Sequence, residues 1–189
     1  MKYIVSILLL SFFLMLGLVS NAQEDVKLTE KQQRKADKEE KKKEKEAKEA
    51  ADWLVYQKLA EDHTYVVQFN KIGVNLVSRR LNFLYANGDD VTIQFETATY
   101  ASENGLGGRT ISGTISNYKY KPPKNDNKPI FINFDVTSKF NQKNYNISIS
   151  VYSGGTALIS FGGGVTSQIN GTFSTIEDAS INMGVDMRN

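Results

Sequence analysis

The chain has 189 residues, with 23 basic and 21 acidic side chains, one histidine and no cysteine. The lack of cysteine excludes disulfides, thiolate metal sites, a cysteine nucleophile and an N-terminal lipid-modified cysteine. From residue 50 onward, basic and acidic side chains balance at 12 each, so the segment that can form a core lacks the basic face needed to bind nucleic acid.

The first 22 residues have the pattern of a secretory signal peptide. Lys2 precedes an apolar run from Ile4 to Val19, and the small residues Ser20 and Ala22 lie three and one positions before the expected cut. The run of about 16 residues is shorter than the roughly 20 that cross a bilayer as a helix. We expect cleavage after Ala22 and an exported protein, periplasmic or at the cell surface, with no transmembrane span in the mature chain. An uncleaved anchor is the alternative.

The next segment, residues 23–49, is charged and predicts a helix that continues to about Ala60. It has neither proline nor glycine, and it contains acid-first pairs four residues apart. It offers no apolar seam for a coiled coil, so we expect a solvated rod or a fraying, partly disordered tail. Its functional interpretations are a stand-off spacer and a weak arm for anionic lipid or polysaccharide.

The end of this helix carries apolar residues that predict docking on a core. One helical stripe consists of Ala47, Ala50, Ala51 and Leu54, with Trp53, Tyr56 and Ala60 beside it.

Beyond Ala60 the periodicity changes from helical to alternating, which predicts a β domain. Turn signals in Ala86–Asp90 and Ser153–Gly155 predict hairpins. Alternation also predicts two core rows: Ile130, Ile132, Phe134 and Val136, and Tyr145, Ile147, Ile149 and Val151. Between them it predicts a polar outer face: Asn133, Asp135 and Thr137, with Asn146, Ser148 and Ser150. About eight strands are expected, over residues 64–72, 81–86, 91–97, 110–120, 130–138, 145–153, 156–161 and 166–173.

These patterns predict a mainly β protein of the α+β class, in which the long charged helix precedes an antiparallel β-sandwich or small barrel. The predicted organisation is a signal peptide (1–22), a charged helical or partly disordered segment (23–49), a β domain with the docked helix end (50–173) and a tail (174–189). The tail is either a ninth strand or loose.

The helix end "AADWLVYQKL", the strand "YVVQF", the hairpin "LNFLYANGDDVTIQF" and the ending "YNISISVYSGGTALISFGGGVTSQINGTF" follow one another in a familiar order. This order resembles domain-of-unknown-function family 4251, small exported proteins of Gram-negative bacteria, over roughly Glu30 to Phe173. Two stretches depart from that family: "IQFET" lacks the proline and glycine of its Leu-Pro-Tyr-x-Gly stretch, and "GGGVT" lacks its usual arginine. The resemblance implies an exported β protein and implies no activity.

Catalytic and metal sites are not predicted. His63 adjoins Glu61 and Asp62, but consecutive residues point in different directions, so a solvated histidine at a helix end is expected. Glu96 and Asp135 would be the carboxylates of a glycosidase, yet alternation places both on polar strand faces. The glycines of "ENGLGGRT" lack the ending of a phosphate-binding loop.

One possible interaction surface is predicted in "NYKYKPPKNDNKP". Tyr118 and Tyr120 share one side of their strand and alternate with Lys119 and Lys121. Exposed tyrosines stack on sugars or grip partners, whereas lysine and proline near a strand end protect a sheet from edge pairing. The protective role is the favoured interpretation.

Three functions are compatible with these observations. We expect a non-enzymatic envelope module, without a cofactor, that binds an envelope protein or a glycan. The alternative is a lipocalin-like carrier, because about eight antiparallel strands can enclose a small apolar ligand. A carboxylate-dependent hydrolase ranks third. A filled core along Ile132, Phe134, Ile147, Ile149 and Phe161 would argue against the carrier, and a cavity of several hundred cubic ångströms, as ligand pockets have, would favour it.

Overall fold

The computed structural model describes residues 30–96, 108–125, 128–162 and 168–184, and only the backbone of residues 30–32. The predicted signal peptide and its cleavage site lie outside this range. The chain divides into two compact units, Met1–Glu44 and Lys45–Asn189.

One long helix, α1 (Glu30–Asp62), begins the described chain. Its residues from Gln33 to Ala51 are exposed, and the predicted pair of Glu39 and Lys43 forms a salt bridge of 3.4 Å. No helix in the described ranges combines the length and apolarity needed to span a bilayer.

The docked face of α1 differs from the predicted stripe. Trp53 and Ala60 are buried, whereas Leu54 is 68% exposed. The helix is rotated toward its aromatic side because Trp53 and Tyr56 remove more apolar surface from water than the alanines would.

Nine antiparallel strands follow in the described ranges, and eight of them close into a barrel in the order β1-β3-β4-β5-β6-β7-β8-β9, with β9 paired to β1. The strands are β1 (Thr64–Ile72), β2 (Asn75–Leu76), β3 (Phe83–Asn87), β4 (Asp90–Glu96), β5 (Gly108–Lys121), β6 (Ile130–Ser138), β7 (Asn144–Val151), β8 (Thr156–Phe161) and β9 (Ile169–Ser174). The prediction of an antiparallel sandwich or barrel is confirmed as a barrel. Strand β2, a two-residue addition to β1, was not predicted.

The hairpin predicted in Ala86–Asp90 joins β3 to β4, but Asn87 is not one of the two central residues of its turn. Asn87 still pairs with Asp90, so Gly88 and Asp89 form the turn. Gly88 alone has a positive φ, 62°, as the first central residue of a type II′ turn requires.

Inward-facing side chains of the barrel form one buried hydrophobic cluster. The predicted rows on β6 and β7 point inward, and Phe134, Ile147 and Ile149 are at most 1% exposed. At one end, Phe95 of β4 and Phe161 of β8 meet with ring centroids 5.4 Å apart, although these strands lie opposite each other in the ring. An eight-stranded barrel is just wide enough for side chains to fill its interior in this way.

The last turns of helix α1 cover the other end of the barrel. Tyr56 meets the edge of the Phe173 ring at 5.7 Å, and Tyr65 stacks on the same ring at 4.8 Å. The helix end therefore completes the core.

The C-terminal segment Thr175–Gly184, hereafter the strap, is neither a ninth barrel strand nor loose. It runs over the outer face of β1, β3 and β4 without strand structure. Gln68 donates to the Ser180 carbonyl (3.0 Å), and Gln94 donates to the Asn182 carbonyl (2.9 Å). Phe83 lies between these two glutamines in the register, which explains why this outward-facing ring is fully buried.

Candidate binding face

A bulge in β5 decides which side chains reach the outer surface of the barrel. Before the bulge, Gly113 and Ile115 of β5 are buried. The register between β5 and β6 then shifts between Ser116 and Lys119. Asn117 lies in the bulge with φ of 52°. Because a bulge adds a residue to one strand, alternation reverses beyond it.

The reversal decides which two of the four residues of the predicted interaction surface face outward. Tyr118 and Tyr120 pack against the core, and Lys119 and Lys121 are exposed on the opposite face. The two tyrosines do share one side, as predicted, but that side faces α1 and the barrel interior.

Tyr118 contacts the end of helix α1. Its hydroxyl donates to the Ala60 carbonyl, and its ring lies 5.7 Å from that of Phe134. The His63 ring also packs against the Tyr118 ring, with centroids 3.5 Å apart. Burial is the main reason that the pKa of the Tyr118 phenol is raised, since low polarity disfavours phenolate.

The outer surface of β5 to β8 carries rows of polar side chains, and we call it the polar face. One row runs from Lys119 through Asn133 and Ser148 to Ser160. A second joins Ser116, Asp135 and Asn146, and a third joins Lys121, Phe131, Ser150 and Leu158. The strap covers a different part of the barrel, so this face is left to solvent.

Hydrogen bonds hold the polar side chains of this face in place. Asn117 and Asn146 each donate from Nδ2 to the Asp135 carboxylate, at 2.8 and 2.9 Å. Ser148 donates to the Asn133 side-chain oxygen at 2.7 Å. The face is therefore an ordered array rather than a set of independent rotamers.

Asp135 is the anionic centre of the polar face. The amide of Asn117 contributes most to lowering the pKa of its carboxyl, followed by the amide of Asn146 and the charge of Lys119. An ionised carboxylate accepts hydrogen bonds only. Such a group binds hydroxyl and amine donors and is poorly suited to act as a general acid.

One aromatic side chain accompanies these polar groups. Phe131 is 41% exposed on the polar face, directly between Lys121 and Ser150 in the register. The combination provides an apolar ring face beside donors and acceptors, which is the chemistry that amphipathic ring-shaped ligands require.

The catalytic candidates are not brought together. Glu96 on β4 pairs with Gly108 of β5, and Asp135 on β6 pairs with Ser116, so the two carboxylates lie eight positions apart along β5. The Asn82 amide donates to Glu96 at 3.4 Å. Within the described ranges, no three His, Asp or Glu side chains are grouped to hold a metal ion. Most of the glycine-rich stretch "ENGLGGRT" lies outside the described residues.

Alternation predicts that Asn133, Asp135, Asn146, Ser148 and Ser150 share one outer face, and the register of β6 with β7 confirms it. Sequence reasoning missed Asn117 and Phe131 as members of this face, although Phe131 belongs to the same alternation. Their neighbours across the sheet depend on register and on the bulge, neither of which is visible in a single strand.

Together these features define a small antiparallel barrel. A helix covers one end, and one polar face of the outer surface is exposed. No protein-family model matches the chain, and no curated protein matches it. In structure it is similar to a DUF4251 family protein from Bacteroides eggerthii DSM 20697, with a TM-score of 0.48 and 20% identity, over 65% of this chain and 89% of that chain. This is the family that the sequence pattern resembles.

Proposed function

We propose that the protein is an exported, non-enzymatic module of the cell envelope that binds a glycan on its polar face. The observation that carries this proposal is the hydrogen-bonded array around Asp135, in which the carboxylate fixes two amide side chains. Export rests on the signal-peptide pattern of the first 22 residues.

The composition of the face favours a glycan over a protein partner. The centres of protein interfaces are rich in aromatic residues and poor in charge, whereas the described strands of this face present one exposed ring, that of Phe131, among amides, hydroxyls, lysines and a carboxylate. A sugar ring presents an apolar face for Phe131 and vicinal hydroxyls for the amide and carboxylate groups. Lys119 and Lys121 add charge for acidic substituents.

The packed interior weighs against the carrier alternative. Phe95 and Phe161 contact each other across the barrel, and Phe69 joins them with centroids 5.5 Å from Phe95. Among the described residues, a small cleft lined by Arg109, Ser138 and Tyr145 is open to solvent. It is polar and lies at the rim, unlike the enclosed apolar site of a carrier.

The hydrolase alternative receives no support from the carboxylates. A glycosidase requires one acid with a raised pKa, and the pKa of Asp135 is lowered. Glu96 lies on a different part of the barrel surface, beside Asn82.

Binding to an array of defined neutral and acidic oligosaccharides tests the proposal, followed by calorimetric titration of any hit. We expect Phe131→Ala and Asp135→Asn each to weaken binding by about tenfold or more, because each removes a contact worth about 1–3 kcal/mol. Asp89→Asn is the matched control, since Asp89 is exposed in the β3–β4 turn. Absence of binding to any glycan, or binding that both substitutions leave unchanged, would contradict the proposal.

A further inference from the structure

The hairpin that joins β1 to β2 presents two aliphatic side chains to solvent. Val74 and Leu76 are each 86% exposed, more than any other large apolar side chain in the described ranges. Single exposed apolar residues are ordinary. Two neighbouring branched residues at a hairpin tip are less so, because they form one apolar projection.

The backbone holds this tip in a fixed shape. Ile72 pairs with Asn75 and Lys71 with Leu76, which leaves Gly73 and Val74 as a two-residue turn. Gly73 has the positive φ of 60° that such a turn requires, and its amide donates to the Gln168 carbonyl at 3.1 Å. Val74 and Leu76 are therefore displayed by an ordered hairpin.

Basic residues flank the tip in the chain. Lys71 lies opposite Leu76, and Arg79 and Arg80 are exposed just beyond β2. The carbonyl of Arg79 accepts a bond from Gln68 and that of Arg80 from Asn182, so the backbone positions of both arginines are fixed.

The local charge is uniformly positive. No acidic residue occurs from Gln68 to Gly88, in contrast to the balanced charge of the domain as a whole. Among the described residues, the half-buried Glu96 of β4 contacts this segment, where its carboxylate accepts a hydrogen bond from Asn82. The tip thus combines two exposed aliphatic side chains with three basic residues close to it in the chain.

We propose that this tip docks on a membrane surface that contains anionic lipid. Val74 and Leu76 would enter the boundary between headgroups and acyl chains, while Lys71, Arg79 and Arg80 contact lipid phosphates. Apolar insertion and attraction to anionic headgroups are the two contributions that bind interfacial elements. With two aliphatic side chains, the association should be weak, reversible and sensitive to salt.

A fluorophore placed at the tip tests the proposal directly. The chain contains no cysteine, so Asn75→Cys provides a single labelling position between Val74 and Leu76 and leaves both intact. The full chain, labelled with an environment-sensitive dye, is titrated with vesicles of phosphatidylcholine alone or of equal parts phosphatidylcholine and phosphatidylglycerol. Asn133→Cys on the polar face is the matched labelling control.

We expect the dye at position 75 to shift to the blue with the anionic vesicles only, and the dye at position 133 to remain unchanged. Adding Val74→Ser and Leu76→Ser should raise the lipid concentration at half-saturation about tenfold or more. Arg79→Gln with Arg80→Gln should have an effect of similar size. Leu54→Ser, which removes an exposed leucine of α1, should leave the titration unchanged.

Three outcomes would overturn the proposal. They are an unshifted dye at position 75, equal shifts at positions 75 and 133, and a titration unaffected by both pairs of substitutions. Because the dye reports on the tip itself, binding of the vesicles through another part of the chain cannot produce the expected result. The glycan experiment concerns a different face, so failure of either proposal leaves the other to be judged on its own test.

Discussion

The phenol of Tyr118 donates its hydrogen bond to the carbonyl oxygen of Ala60, which joins strand β5 to the end of helix α1. Ala60 is fully buried, so its carbonyl has little access to water. Tyr118→Phe keeps the ring and removes the donor, and we expect it to lower the free energy of unfolding by about 1–3 kcal/mol. Urea unfolding of this variant and of Tyr152→Phe, whose side chain is exposed, provides the measurement. Equal stabilities of the two variants would contradict the role of this bond.

Four tyrosines at the junction of helix and barrel predict sensitivity to alkali. Burial raises the pKa of the phenols of Tyr56, Tyr65, Tyr118 and Tyr120. Above about pH 10 tyrosines of the unfolded chain lose their protons, while these four retain theirs in the folded state. The unfolded state then binds fewer protons, so stability falls as pH rises.

This prediction is measured by urea unfolding at successive pH values from 8 to about 11. The free energy of unfolding should decline above about pH 10, and the decline should be shallower in Tyr118→Phe, which has one phenol fewer. A stability that stays constant across this range would show that the phenols ionise alike in both states.

Much of the barrel was predictable because its signals are local. The inward row of β6 appears in the sequence as an unbroken alternation of Ile130, Ile132, Phe134 and Val136, and the structure buries all four. The same reasoning predicted that Tyr118 and Tyr120 share a side. It could not predict which side, because the bulge at Asn117 reverses the alternation without interrupting it in the sequence.

Closure and covering of the barrel were not predictable for a different reason. Pairing of β9 with β1 joins residues about a hundred positions apart, and no property of either strand specifies its partner. The strap has no hydrophobic period, so its place over Phe83 depends on hydrogen bonds to single polar side chains. The part of the polar face on β6 and β7 was predictable from alternation, whereas the places of Asn117 and Lys119 depend on the register of β5 and its bulge.

Two glycines offer a sharp test of the packing around β5. A Cβ added at Gly113 would lie 2.5 Å from Cγ1 of Val136 and 2.8 Å from the Thr137 carbonyl oxygen, whereas one added at Gly154 would meet nothing within 4 Å. Gly113→Ala should therefore cost about 1–3 kcal/mol through overpacking, and Gly154→Ala should stay within about 0.5 kcal/mol of the parent. Thermal unfolding of the pair checks this, and comparable midpoints would refute it.

Removing one ring of the interior aromatic group should reveal how far the barrel depends on it. Phe161 is 6% exposed and contacts both Phe69 and Phe95. We expect Phe161→Ala to reduce the free energy of unfolding by about 3–5 kcal/mol, as deletion of a buried phenylalanine does. Phe131→Ala, on the outer surface, is the control and should cost well under half of that. Similar losses in denaturant unfolding would argue against a filled interior.

The strap should depend on the side chain of Gln94. This buried amide donates to the carbonyls of Leu81 and Asn182 at 3.0 and 2.9 Å, and its oxygen accepts from the Gly184 amide at 2.7 Å. Gln94→Ala leaves two carbonyls and one amide without that buried partner, so we expect a loss of about 1–3 kcal/mol and faster hydrogen exchange at the Gly184 amide.

Gln68 provides the comparison, because it also donates to a strap carbonyl, that of Ser180, but from a half-exposed position. Water can replace that bond, so Gln68→Ala should cost about 1 kcal/mol or less. Exchange at Gly184 should then remain close to that of the parent, because its partner Gln94 is intact. If both variants released the strap equally, the burial of Gln94 would not explain how the strap is anchored. The hydrogen bonds along the whole segment would then have to account for it.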